Sequence, residues 1–144
     1  MAAALEEAKS AFLKQEVPIG AVVVKGESIV GRGHNQIEER KDPTAHAEIL
    51  AMRQAGEALG DWRLQECRIY VTVEPCIMCL GAILTARIPE IVYALHEPKS
   101  GAVRSKAGCI GIWSGRNLRV VEGVRKSEAM ALLQDFFALV RNKN

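Results

Sequence analysis

The stretch Arg68-Ile69-Tyr70-Val71-Thr72-Val73-Glu74-Pro75-Cys76-Ile77-Met78-Cys79-Leu80-Gly81-Ala82-Ile83-Leu84-Thr85-Ala86, followed after Arg87-Ile88-Pro89 by Glu90-Ile91-Val92-Tyr93-Ala94-Leu95, decides the fold. Arg68 to Val73 is dense in β-branched and aromatic residues and reads as a strand. Pro75 suits the first turn of a helix, where its missing N–H costs nothing, so a helix is expected over Cys76 to Ala86 with both cysteines at its start. Glu90 to Leu95 is another β-rich run. Strand, helix and strand at this spacing make a β-α-β unit, and short crossovers of this kind are right-handed. The two strands are therefore predicted to run parallel, with the helix on one face.

Working outward, Leu5, Ala8 and Phe12 recur at helical spacing in a helix over about Ala2 to Lys14 that ends before Pro18. Ile19 to Val24 and Ser28 to Gly33 form a hairpin around Lys25-Gly26-Glu27. A helix over Thr44 to Ala58 is closed by Gly60, and Asp42-Pro43-Thr44 marks its start with either Asp42 or Thr44 as N-cap. Downstream, Leu118 to Glu122 is a fifth strand, and Met130, Leu133, Phe137 and Val140 stripe a last helix capped by Ser127. This order predicts an α/β fold, a three-layer α/β/α sandwich around a five-stranded mixed sheet, as one domain over residues 1–144. No internal repeat, linker or low-complexity tract interrupts it.

His46-Ala47-Glu48 and Pro75-Cys76-Ile77-Met78-Cys79 together supply an imidazole, two thiols and a spare carboxylate. Those are the parts of a catalytic zinc site, in which three protein ligands leave a fourth tetrahedral position for water. The positive end of a helix lowers thiol pKa and a metal completes the deprotonation, so Cys76 and Cys79 can bind as thiolates, with His46 as the neutral third ligand. Residues two apart on a helix point roughly 200° apart, which argues against Glu48 and His46 sharing one metal. Glu48 reads better as an acid/base group beside it. Two plainer readings stand next to this one. A redox Cys-x-x-Cys pair lacks its usual Trp or Gly-Pro setting here. A closed structural zinc site needs a fourth ligand, which Cys67, Cys109, His34 or His96 would have to supply, although isolated cysteines are more commonly buried inert thiols.

Four cysteines, two committed to Cys-x-x-Cys, do not look like a disulfide framework. No apolar run approaches a membrane span and Met1 to Leu5 has no signal-peptide pattern, so a cytoplasmic location without membrane contact is expected. The net charge of +2 hides an asymmetry, because residues 1–96 carry ten Lys/Arg against thirteen Asp/Glu while residues 97–144 carry nine against four. A polyanion would be drawn to the last third if its charges converge on one face, and an ordinary solvated surface is the alternative.

Taken with Glu16-Val17-Pro18-Ile19-Gly20-Ala21, Gly33-His34-Asn35, Asp42 to Ile49, Glu74 to Ala82, Pro98-Lys99-Ser100-Gly101 and Asp135-Phe136-Phe137, the chain resembles the bacterial tRNA-specific adenosine deaminase family, within the cytidine deaminase-like superfamily. Asp-Pro-Thr-Ala-His-Ala-Glu and the extended Cys-x-x-Cys string also occur in guanine deaminases. The Glu16 to Ala21, Pro98 to Gly101 and Asp135 to Phe137 strings tilt the resemblance toward tRNA.

The resemblance implies one Zn2+ per subunit on His46, Cys76 and Cys79, with Glu48 moving protons while an adenosine at the wobble position of a tRNA anticodon stem-loop becomes inosine. It also implies base or ribose contact by Asn35, a backbone contact from Ala45, packing by Pro18 and Ile19, and a homodimer. Asn35 as a turn cap and Ile19 as strand core are the plainer alternatives. Either Phe136 or Phe137 would stack on a flanking base, with Phe137 the expected contact. The family usually has Asp where this chain has Glu97, one methylene longer, so a contact there would be shifted. Residues 102–117 do not follow the family sequence. A deaminase of free guanine, cytosine or a nucleoside, and a structural zinc module, are the competing functions.

Overall fold

Along the chain, helix α1 (Ala2–Leu13) leads into strands β1 (Gly20–Lys25) and β2 (Ser28–His34), a single-turn helix α2 (Ile37–Arg40) and the longer α3 (Ala47–Leu59). Strand β3 (Cys67–Val73), helix α4 (Ile77–Thr85), strands β4 (Glu90–Leu95) and β5 (Arg119–Glu122) and helix α5 (Lys126–Lys143) follow. This computed structural model describes residues 1–105 and 117–144. Cys109 and most of the divergent 102–117 stretch lie outside the described residues. The strand order is β2-β1-β3-β4-β5, antiparallel across the first two junctions and parallel across β3, β4 and β5. The predicted β-α-β unit and five-stranded mixed sheet are both present.

Alternation of side chains divides the core between the two faces of the sheet. Ala21 and Val23, Ile69 and Val71, and Ile91 and Tyr93 pack with Ala51 and Met52 of α3 and with Leu80, Ile83 and Leu84 of α4. Leu5 of α1 and Ala129 of α5 cover the other face with Ala94 and Leu95. Leu80 and Leu84 are therefore core, whereas Ile77 is 66% exposed.

Helix backbones lie unusually close to the strands on both faces. A Cβ on Gly31 would collide with the Ala51 carbonyl and one on Gly33 with the Ala47 carbonyl. Gly20 meets the Ala4 carbonyl in the same way from the α1 side. Ala47, Ala51 and Ala55 recur every four residues on one stripe of α3, which is why that helix can lie flat on β2. The outer edge of β2 is partly covered as well, since the Arg32 backbone N–H donates to Gln54 Oε1 at 2.7 Å.

Several sequence expectations shift at the helix ends. Neither Asp42 nor Thr44 caps α3. Asp42 Oδ1 accepts the Thr44 N–H at 2.8 Å and its hydroxyl at 2.7 Å in a local turn, and the N-cap is His46 with extended backbone (φ −77, ψ 152). Pro75 likewise stands one residue outside α4, whose N-cap is Cys76 (φ −72, ψ 174). Gly60 ends α3 in the left-handed region, as expected (φ 67). Ser127 does not cap α5. The N-cap position falls to Arg125, whose guanidinium pairs with the Glu128 carboxylate at 2.6 Å. The α5 stripe is also rotated from the predicted one, with Ala129, Leu132 and Leu133 inward and Met130, Phe137 and Val140 exposed. Helix α2 carried too few residues for a period to show.

Replacing Gly33 by Ala should cost about 2 kcal/mol or more, because two backbones must separate to admit a methyl group. Urea unfolding measures the loss. Gly81→Ala is the control, since nothing stands within 4 Å of a Cβ there.

Candidate metal centre and cleft

Two helix starts meet beyond the carboxyl end of β3. His46 is the last residue before α3, Cys76 the last before α4, and Cys79 lies one turn into α4. Donor atoms of the three lie within 4.8 Å of one another. His46 Nδ1 is 3.7 Å from Cys76 Sγ and 3.5 Å from Cys79 Sγ. A tetrahedral ion with ordinary zinc bond lengths to nitrogen and sulfur separates those atoms by about 3.6 Å, so the donors already stand at tetrahedral edges. One imidazole and two thiols suit a borderline-soft divalent cation.

No further described cysteine or histidine joins the group. His34 Nδ1 pairs with Glu7 Oε2 at 2.9 Å, His96 Nδ1 lies 3.2 Å from the Tyr93 hydroxyl, and Cys67 is buried in the core. Three donors from the described residues leave one tetrahedral corner for a small molecule.

The protons of this cluster compete. The Cys79 hydrogen bond, opposed by burial and reinforced by His46, brings the Cys76 thiol down to about 4. Cys79 is driven the other way, above the ordinary thiol range, by its bond to Cys76 and by burial. The Cys76 sulfur raises the pKa of His46. Burial pushes the Glu48 carboxyl up to about 7, with neighbouring His46 opposing the shift. A divalent cation among these groups would draw both sulfurs to thiolate and favour the ionised carboxyl.

His46 and Cys76 of this cluster line a cleft of about 200 Å3. Asn35, Ile19 and Glu97 are among its lining residues. Glu48, only 4% exposed, reaches it from the second position of α3 and hydrogen-bonds with Cys79. The other expected contacts are not in the lining. Ala45 is buried, with its N–H on the Asp42 carbonyl and its carbonyl on the Gln36 N–H. Pro18 is also buried, and its neighbour Val17 takes the place beside Ile19. Phe137 stands apart on α5, exposed, against Phe136.

Sequence reasoning missed Val17, Ile37, Ala47, Val73, Glu74 and Ser100 in the lining. Val17, Glu74 and Ser100 sat inside motifs already noted, so adjacency to the expected contacts was the available signal. Ile37 belongs to the undetected α2. A larger hollow of about 930 Å3 lies away from the donors, around Trp62 between α3 and α4.

The family model for MafB19-like deaminases matches residues 1–141. The tRNA-specific adenosine deaminase of Aquifex aeolicus (strain VF5) is 42% identical over 139 residues, covering 96% of this chain and 92% of its own. A solved chain from work on A-to-I editing by tRNA:A34 deaminases at the wobble position of transfer RNA superposes with a TM-score of 0.88. Its identity is 43%, and the match covers 92% of this chain and 97% of that one. Guanine deaminase from Nitrosomonas europaea shares the fold at a TM-score of 0.83 and 24% identity, over 94% of this chain and 81% of that one.

Cys79→Ser should weaken divalent-metal binding more than about a hundredfold, since it removes a donor from a set of three. Competition with a chelator, followed by metal analysis of the dialysed protein, measures it.

Proposed function

Because the chain belongs to the MafB19-like deaminase family, with tRNA-specific adenosine deaminases among its relatives, we propose that it hydrolyses adenosine to inosine at the wobble position of a tRNA anticodon. The observation that carries this reading is the tetrahedral-edge spacing of His46, Cys76 and Cys79 beside a buried, cleft-facing Glu48. The proposed cofactor is Zn2+, one per subunit, within a single cytoplasmic domain that assembles as a homodimer.

When bound, zinc supplies the Lewis acidity that brings a water's ionisation near neutral pH. Glu48 accepts the proton of the attacking water, returns it to N1 of adenine, and then assists departure of the 6-amino group as ammonia. Adenosine and water are consumed, and inosine and ammonia are released. The burial of Glu48 in the cleft beside His46 and Cys76 supports this double duty.

Asn35 and Glu97 hydrogen-bond the base and its ribose in this reading, with Ile19 as an apolar wall, and their place in the cleft lining supports it. An anticodon loop presents an adenosine that is already unpaired, so turning it into so small a cleft costs least there. The excess of Lys/Arg in residues 97–144 and the exposed Phe137 ring suit the flanking phosphates and bases.

Glu48→Gln should retain one zinc yet lose about three orders of magnitude in turnover. The measurement is inosine formation in an anticodon stem-loop beside metal analysis of the same sample. Undiminished turnover in this variant overturns the role of Glu48. Ammonia release from free guanine without inosine in the stem-loop overturns the substrate.

A further inference from the structure

A cluster of polar groups that deamination leaves without a task surrounds Glu74. Its side chain is fully buried and its backbone is fixed by an N–H donated to the Leu95 carbonyl at 2.7 Å, which extends the pairing of β3 with β4. The carboxylate gathers four donors from one loop. Oε2 accepts the Glu97 N–H at 2.9 Å and the Ser105 hydroxyl. Oε1 accepts the Arg104 N–H at 2.6 Å and the Ser105 N–H at 2.8 Å.

The loop is wrapped tightly around this anchor. A Cβ on Gly101 would strike the Glu74 carboxyl, and the Gly101 N–H closes on the Glu97 carbonyl at 2.8 Å. The Ala102 N–H donates to the Pro75 carbonyl at 2.9 Å, and Gly101 bridges to Cys76. One buried carboxylate thus stands two residues before a metal-binding cysteine and also holds the loop whose Glu97 and Ser100 form one rim of the cleft.

We propose that Glu74 is a positioning residue for substrate: its four hydrogen bonds hold the 97–105 loop in place, so that Glu97 and Ser100 stand at their distance from Cys76 before RNA arrives. This rests on the function proposed above and adds to it the element that shapes the far side of the cleft. A pre-set rim lowers the ordering cost of binding, so its loss falls on substrate affinity and leaves the proton transfers of Glu48 intact.

Glu74→Gln keeps the side chain's size but turns an NH2 group toward N–H donors, and Ser105→Ala removes one partner while leaving the carboxylate. In the zinc-loaded full chain acting on an anticodon stem-loop, Glu74→Gln should raise KM about tenfold or more with kcat within about threefold of wild type. Ser105→Ala should raise KM in the same direction by a smaller factor, and both variants should keep their zinc. Amide hydrogen exchange at Glu97, Arg104 and Ser105 should quicken while Ile69 and Ile91 in the sheet stay protected.

If Glu74→Gln does not fold, Ser105→Ala alone decides. KM unmoved by every variant that folds, kcat falling at constant KM, or protection lost throughout the sheet overturns the inference. A wild-type protein that leaves the stem-loop adenosine intact overturns the proposed function instead.

Discussion

Backbone-to-backbone contact between α3 and β2 governs where the chemistry can be. Gly31 and Gly33 face the carbonyls of Ala51 and Ala47, and neither position has room for a methyl group. Small residues bury little apolar area, so this seam contributes less to stability than a leucine-filled one would. What it fixes is distance. Helix α3 is a stiff rod of 13 residues, and its resting place on the strand determines where its first residue projects. His46 and Glu48 are at that end, and a set of donors that could hold an ion must keep its distances to within about 0.2 Å. Bulk on the strand would be felt at the donors through the helix.

The second helix start is set by the sheet itself. Strand β3 lies between β1 and β4, and the chain passes from Val73 through Glu74 and Pro75 to Cys76 with Glu74 still bonded to Leu95. Ligand sites in open α/β sheets gather at the carboxyl ends of strands because successive helices begin there, each with unpaired N–H groups and a positive dipole end. Here those fields reinforce the requirement for deprotonated sulfur. Without a cation the two thiols cannot share the benefit, and Cys76 is favoured at the expense of Cys79.

The β3-α4-β4 crossover was legible because strand and helix periods alternate cleanly from Arg68 to Leu95, and the three donors because imidazole and thiol spacing is so restrictive. Helix boundaries were less legible. Asp42-Pro43-Thr44 has the residues of a helix start, but the Asp42 side chain spends its oxygen on Thr44, and the chain needs two more residues to reach α3. The stripe on α5 misread its phase because apolar side chains occur all around that helix, and contacts with α1 and the sheet select Ala129 and Leu133 over Met130 and Phe137. In the cleft, Val17 rather than Pro18 faces inward, a choice made by the turn entering β1 that no period encodes. Ala45, expected to offer its backbone, is tied by its N–H to Asp42 and by its carbonyl to Gln36, contacts that no period encodes.

The Gln54 side chain that receives the Arg32 N–H has a consequence for how this molecule behaves in a crowd. Strand β2 ends the sheet, and an open row of amides there would invite another chain to add itself as a sixth strand. An amide oxygen borrowed from the neighbouring helix occupies one rung of that row, and the irregular register between Val23 and Val24 skews the pairing nearby. Strand addition is opposed at that rung, because an incoming chain would first have to displace the Gln54 amide from the border.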